Sequence, residues 1–138
     1  PDGATSQEQH DVYVDTLRRF VPTLTLATVE AHPDCSFVED TVVAIGKTAV
    51  ITNPGHVSRK GEVDSIKEVL SSGLGMAVVD MRDDFSGTGS DTGSAICDGG
   101  DVMFTGRHLF VGISERTNMA AVDVLADAFE GVVETIAV

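Results

Sequence analysis

One stretch of this chain is written twice, and that repetition constrains the fold more than any other feature. The first copy passes from Val38-Glu39-Asp40 through β-branched runs at 41–45 and 49–52, which flank Gly46-Lys47, to Ser58-Arg59. A helical pattern over 61–70 and an apolar strand over 76–81 follow. The second copy passes from Asp98-Gly99-Gly100-Asp101 through 102–112, turning at Gly106-Arg107, to Glu115-Arg116. It too continues into a helical pattern, over 119–129, and an apolar strand over 132–138. Carboxylates precede each hairpin and an arginine precedes each helix. Self-similarity at a fixed period implies stacked or radially repeated units that carry equivalent residues to one common face. An acidic cluster near arginines suits a small ligand with a cation at one end and a carboxylate at the other.

The order after an initial helix is β, then β-turn-β, α, β, twice over in its last four members. This is an α/β chain, but neither a dinucleotide-binding order nor a run of simple βαβ units. Gly99-Gly100 stands between two acids, a poor phosphate cradle. The 138 residues suffice for one domain with a real core. A net charge of −13 opposes phosphate backbones, so nucleic acid and anionic membranes are not the expected partners. No run of apolar residues reaches membrane-spanning length. Two cysteines, Cys35 and Cys97, make no disulfide framework, and no signal-like segment opens the chain, so a reduced, cytoplasmic setting is the simplest expectation. The start at Pro1 and the apolar ending at Val138 read as those of a segment trimmed from a larger fold.

Local patterns fill in the rest. Residues 6–20 have apolar positions at Val12 or Tyr13, Leu17 and Phe20 at helical spacing, with Thr5 or Ser6 as the cap and Pro22 as the stop. Alternation predicts a strand over 24–29. Val63, Ile66, Val69 and Leu70 share one helical face, with Gly73 as the stop signal, and Val122, Leu125, Ala126 and Phe129 share another. The Ser/Gly/Thr/Asp-rich stretch 83–95 is a loop.

Several residues could carry chemistry. In an extended segment Asp34 and Asp40 point to one side and Glu39 to the other unless the backbone turns. Two converging carboxylates need a cation between them, and a guanidinium fits by bidentate pairing. From spacing alone a solvated acidic loop is the simpler reading. Asp98 and Asp101 flank two glycines that let another segment approach closely, although an Asx-type turn entering a strand explains them equally. Arg59 and Arg116 stand beside small polar residues ahead of a helix, where guanidinium and backbone donors suit a carboxylate. Cys35 and Cys97 lie among acids, which disfavours the thiolate, and both read as structural. His10, His32, His56 and His108 lack metal-site spacing, so no metal or other cofactor is expected.

Taken in order, Asp34-Cys-Ser-Phe-Val-Glu-Asp40, Ile51-Thr-Asn-Pro-Gly55, Ser58-Arg59, Asp98-Gly-Gly-Asp-Val102, Phe104-Thr-Gly-Arg107, Val111-Gly-Ile-Ser114 and Arg116-Thr-Asn118 resemble dimethylarginine dimethylaminohydrolase across nearly the whole chain. The Phe-Val-Glu-Asp string separates them from arginine and agmatine deiminases. The resemblance implies a pentein, a five-bladed α/β-propeller of ββαβ units, with residues 1–138 forming one partial domain and 38–81 and 98–138 as blades. It implies hydrolysis of methylated arginine to citrulline and a methylamine, by a cysteine nucleophile and a proton-shuttling histidine expected beyond Val138. Asp34, Glu39 and Asp40 would line the guanidinium end, Arg59 and Arg116 would hold the α-carboxylate, and Asp98 would orient the histidine. The segment alone is then expected to be inactive, and its open blade edges to favour self-association. A non-catalytic propeller module and an arginine deiminase-like enzyme are the alternative readings.

Overall fold

The computed structural model describes residues 3–27, 30–83 and 94–138. A first helix, α1 (Gly3–Leu17), precedes two sheets of three strands each. The first sheet holds β1 (Val42–Ile45), β2 (Thr48–Ile51) and β3 (Ala77–Asp80), with α2 (Val63–Glu68) between the last two. The second holds β4 (Val102–Phe104), β5 (His108–Val111) and β6 (Glu134–Ala137), with α3 (Met119–Ala128) placed likewise. In each sheet the hairpin is antiparallel and the third strand joins the second in parallel. A parallel join needs a crossover, and the helix supplies it. Gly46 (φ 62°) and Gly106 (φ 86°) make the two hairpin turns in left-handed backbone that a side chain resists.

The register corrects one expectation about the repeat. Val42 faces Ile51 in the first hairpin, and Val102 faces Val111 in the second. On that register Asp40 corresponds to Gly100, and Asp101 to Thr41. The acids before the two hairpins are therefore neighbours in space but not equivalents.

One core joins both sheets. Val43 and Val50 of the first sheet, Leu109 and Val111 of the second, and Ala121, Val122, Val124, Leu125 and Phe129 from α3 and its end are all buried in a single cluster. The helix of the second unit thus packs on β6 of its own sheet and on β2 of the other. The expected apolar face of α3 is correct at Val122, Leu125 and Phe129, while Ala126 is only partly covered. Of the expected α2 face only Val63 is fully buried; Ile66, Val69 and Leu70 are half-covered. That helix is also shorter than its periodicity predicts, because Val69–Gly73 closes as a wider π turn. The left-handed residue that follows is Gly75 (φ 61°), not Gly73.

Two other expectations fail for physical reasons. Thr5 and Ser6 lie inside α1, which starts at Gly3, so neither is its cap. Residues 22–27 form no strand: they have no neighbouring edge among the described residues to receive their N–H and C=O groups, and alternation alone cannot supply one. Residues 28 and 29 lie outside the described residues, as does most of the 83–95 loop.

At the far end of β3, Asp80 is buried with two cations. Its carboxylate accepts from Lys67 Nζ at 2.7 Å and from Arg82 Nε at 2.9 Å and Nη2 at 2.7 Å, and Arg82 reaches on to Asp64 at 2.8 Å. Burial pushes the Asp80 carboxyl up, but the hydrogen bonds from Arg82 and Lys67 outweigh it and hold the group well below the usual carboxylate range. A folded-state value below the unfolded one contributes stability that is present above about pH 4 and is lost as pH falls below it. Urea denaturation should therefore show stability falling more steeply between about pH 5 and pH 2 in the wild type than in Asp80→Asn. In the same assay Phe129→Ala, which empties a fully buried ring site, should cost about 3–5 kcal/mol. Tyr13→Ala, on the exposed face of α1, should stay within about 0.5 kcal/mol.

Candidate functional site

The site is built where the two units meet, ahead of their hairpins. A short turn, Val38–Thr41, leads into β1, and another, Gly99–Asp101, leads into β4. These turns touch each other. A side chain at Gly99 would place its Cβ 2.1 Å from the Glu39 carbonyl oxygen, and one at Gly100 would lie 2.6 Å from Asp40 Oδ1. The double glycine therefore admits the neighbouring segment, and the Gly100 N–H donates to Asp40 Oδ1 at 2.8 Å.

The stretch before Gly99 is stitched to both units. Cys97 N–H donates to the Asn53 carbonyl and Asn118 N–H to the Ile96 carbonyl, while Asn53 Nδ2 donates to the Ala95 carbonyl at 2.6 Å. Asp98 is fixed at three points. Its N–H donates to Thr117 Oγ1 at 3.1 Å, its Oδ1 accepts from Gly55 N–H at 2.9 Å, and its Oδ2 lies 3.5 Å from Arg116 Nη1. Gly55 has no side chain because the Arg116 backbone occupies that space, 2.5 Å from where a Cβ would sit.

A cleft of about 480 Å³ opens at this junction, lined by Asp40, Asp98, Gly100, Asp101, Ser114, Glu115 and Arg116. Four carboxylates and one guanidinium line it. The Arg116 side chain is 59% exposed, so a ligand can reach it, whereas the Asp98 side chain it contacts is only 7% exposed. Carboxylates held in place around a partly enclosed space favour a cation there.

Of the six residues expected at the site, the cleft brings together Asp40, Asp98 and Arg116. Asp34, Glu39 and Arg59 stand elsewhere. The segment 34–40 is not extended: Phe37 N–H donates to the Asp34 carbonyl and Asp40 N–H to the Phe37 carbonyl, so the two-residue alternation that would have aligned Asp34 with Asp40 does not apply. The Asp34 side chain is exposed, and Glu39 borders a smaller crevice of about 220 Å³ between β1 and β4.

Arg59 is 5% exposed and occupies the cationic place among the acids. Its Nη1 donates to Asp40 Oδ2, its Nη2 to the Asp34 and Phe37 carbonyls at 3.1 and 3.0 Å, and its Nε and Nη2 fork onto Glu62, the latter at 2.6 Å. The bonds to Glu62 and Asp40 raise the guanidinium further above its already high range, so it is a permanent cation. Arg59 and Arg116 thus differ in setting: one is internal and orients Asp40 from behind, the other faces the cleft. Glu62, three residues beyond Arg59, was not singled out from the sequence; the i,i+3 acid–base spacing is the signal that would have found it. Ser114 and Glu115 were likewise missed, since only the fold brings their loop to the acids.

The Cys97 thiol, fully buried, is pushed up to about 12, chiefly by burial and further by the charges of Asp101, Asp98 and Asp40. It is a packed core atom, as its acidic surroundings had implied. Among the described residues no group of His, Cys, Asp and Glu is arranged to hold a metal ion, and no helix is long and apolar enough to cross a membrane.

Small sheets of this kind, with an acidic cleft at their junction, define a pentein-like α/β protein. A sequence model of the eukaryotic N,N-dimethylarginine dimethylhydrolase family matches residues 3–138. The chain belongs to the dimethylarginine dimethylaminohydrolase family. It is 38% identical to the bovine protein DDAH2 over 133 residues, covering 93% of this chain and 42% of that one. It is 36% identical over 119 residues to the N(G),N(G)-dimethylarginine dimethylaminohydrolase of Pseudomonas aeruginosa, covering 86% of this chain and 43% of that one. A solved structure of the Pseudomonas aeruginosa enzyme, a cysteine-to-serine mutant complexed with citrulline, superposes with a TM-score of 0.85 at 30% identity over all of this chain and 51% of that one. The chain spans less than half the length of the curated relatives it matches.

The double glycine is the most sensitive point of the architecture. Gly99→Ala sets a methyl group against the Glu39 carbonyl, a backbone atom that cannot rotate away. It should lower stability by about 1–3 kcal/mol in chemical denaturation, whereas Gly3→Ala, with open space around it, should not.

Proposed function

We propose that this chain supplies the substrate-binding half of an enzyme that hydrolyses N-methylated arginine to citrulline and a methylamine. The observation that carries the reading is the cleft itself, which gathers Asp40, Asp98 and the exposed Arg116 in a chain of this family. A methylarginine has a guanidinium at one end and an α-carboxylate at the other. The carboxylates match the first, and a planar, permanently charged fork matches the second.

In this reading Asp40 receives the guanidinium, held in place by Arg59 behind it and Gly100 N–H beside it. Asp98, fixed by Gly55 and Thr117, faces the cleft to orient the proton-carrying histidine of the rest of the protein. A cysteine from that remainder attacks the guanidinium carbon, methylamine leaves with a proton from the histidine, and water then releases citrulline and the free thiol. Neither Cys97, whose thiol is buried, nor the surface helices enter the reaction. Asp34 and Glu39 border the site without reaching the cleft, and reach a ligand only if segment 34–39 shifts toward it.

We also read the two sheets as successive blades of a five-bladed propeller, supported by the way α3 packs between its own sheet and the preceding one. Superposing the first unit on the second should then require a rotation of about one-fifth of a turn about a common axis, measured on a crystal structure of the full-length protein. A continuous sheet, or a translation without that rotation, contradicts the blade reading.

Two substitutions in the full-length protein test the site. Asp40→Asn keeps the shape and removes the charge facing the guanidinium. Loss of one charge-assisted pair costs about 1.5–3 kcal/mol, so kcat/KM for dimethylarginine should fall roughly tenfold to a hundredfold. Arg116→Ala should impair methylarginine far more than methylguanidine, which has no carboxylate to hold. Equal losses on both would place Arg116 in the framework of the site and not on the ligand.

A further inference from the structure

The cleft wall contributed by the second unit is closed by a ring of hydrogen bonds. Thr117 is fully buried, and its hydroxyl accepts from Asp98 N–H at 3.1 Å, donates to Asp101 Oδ2 at 2.6 Å and also meets the Cys97 thiol. The same carboxylate oxygen accepts from Ser114 Oγ at 2.8 Å. Ser114 Oγ in turn accepts from Arg116 N–H at 3.0 Å. The Arg116 side chain returns to Asp98 Oδ2 at 3.5 Å and completes the circuit. Four of the five members, Asp98, Asp101, Ser114 and Arg116, line the cleft, and Thr117 lies behind them.

We propose that Thr117 is a positioning residue of this site, whose hydroxyl fixes the spacing between the acid Asp98 and the ligand-facing Arg116. The inference rests on the methylarginine reading, in which Asp98 orients the histidine and Arg116 receives the α-carboxylate. A hydroxyl has one donor and two acceptor sites, so it can bridge an N–H and a carboxylate at once. The ring is anchored on a rigid element, because the next residue, Asn118, caps α3 and its Oδ1 accepts from Ala121 N–H and Ile96 N–H. Asp101 is the hub: one oxygen gathers the two hydroxyls that hold the Asp98 and Arg116 backbones.

The ring separates into two arms with different expected effects. The Thr117 arm holds Asp98, so opening it should act on turnover. The Ser114 arm holds the Arg116 backbone, so opening it should act on carboxylate binding. Thr117→Val keeps the shape and removes the hydroxyl, leaving Asp98 N–H without its acceptor, whereas Thr117→Ser keeps the hydroxyl.

Steady-state kinetics of the full-length protein with dimethylarginine and with methylguanidine test this. Thr117→Val should lower kcat at least tenfold on both compounds, Thr117→Ser should stay within about threefold of wild type, and Ser114→Ala should raise KM several-fold for dimethylarginine alone. Thr117→Val within twofold of wild type overturns the proposal. So does Thr117→Ser losing as much as Thr117→Val, since the methyl group and not the hydroxyl would then be what matters. If Thr117→Val does not fold, Ser114→Ala decides: an unchanged KM for dimethylarginine overturns the ring. A wild-type protein without turnover overturns the methylarginine reading instead, and citrulline binding by the same variants then decides the ring on its own.

Discussion

The cleft depends on one close approach, that of the Gly99-Gly100 backbone to Glu39-Asp40. Any side chain at Gly99 would overlap a carbonyl oxygen, and one at Gly100 would overlap the Asp40 carboxylate. Because neither exists, the turns that precede the two hairpins lie against each other, and Asp40 gains a backbone donor from the other unit. Asp98 is brought to the same place by the stitched segment before it, with Gly55 holding its carboxylate from the first unit and Thr117 its backbone from the second. The core shared by both sheets and α3 sets the relative position of the units, and the glycines let that position put acids face to face.

Burying acids at such a junction requires compensation, and the structure supplies it unequally. Asp40 is backed by Arg59, which forks onto Glu62 and takes up two backbone carbonyls; a guanidinium with partners on its Nε and both terminal nitrogens is a framework element. A buried pair of this kind is costly to break from either side, since the remaining charge is left alone. Asp98 has a backbone N–H from Gly55 and a longer contact, at 3.5 Å, with the exposed Arg116 guanidinium, while Asp101 relies on two hydroxyls, which stabilise a carboxylate without neutralising it. The cleft therefore keeps a negative lining with Arg116 as its one cation, a polarity suited to a ligand that is positive where it meets the acids.

Much of this was legible in the sequence, and the reasons are specific. The β-branched runs around Gly46-Lys47 and the run through Gly106-Arg107 gave both hairpins, because alternation and a turn residue with left-handed backbone are local properties. The face of α3 was legible because it is buried on both sides; the face of α2 was less so, because only Val63 is fully covered. Asp40, Asp98 and Arg116 were found through motif strings, and the glycines between Asp98 and Asp101 announced a close approach without saying of what. The strand expected from residue 24 onward was misread over 24–27 because alternation does not reveal whether an edge is available. Strand periodicity aligned Asp34 with Asp40, but the segment turns; the place given to Asp34 and Glu39 at the guanidinium end came from the motif resemblance alone. The different settings of Arg59 and Arg116 were invisible because their sequence contexts are alike; Glu62 and the folded position of 34–37 make the difference. Ser114, Glu115 and Thr117 needed the fold, since nothing in their neighbourhood shows that they return to the acids before β4.

The most direct test of the central claim is a crystal structure of the full-length protein with citrulline bound. The account predicts the ureido end between Asp40 and Asp98 and the α-carboxylate on the Arg116 guanidinium, with Arg59 still forked onto Glu62. Citrulline seated away from this cleft, or with its carboxylate beyond reach of Arg116, would contradict it.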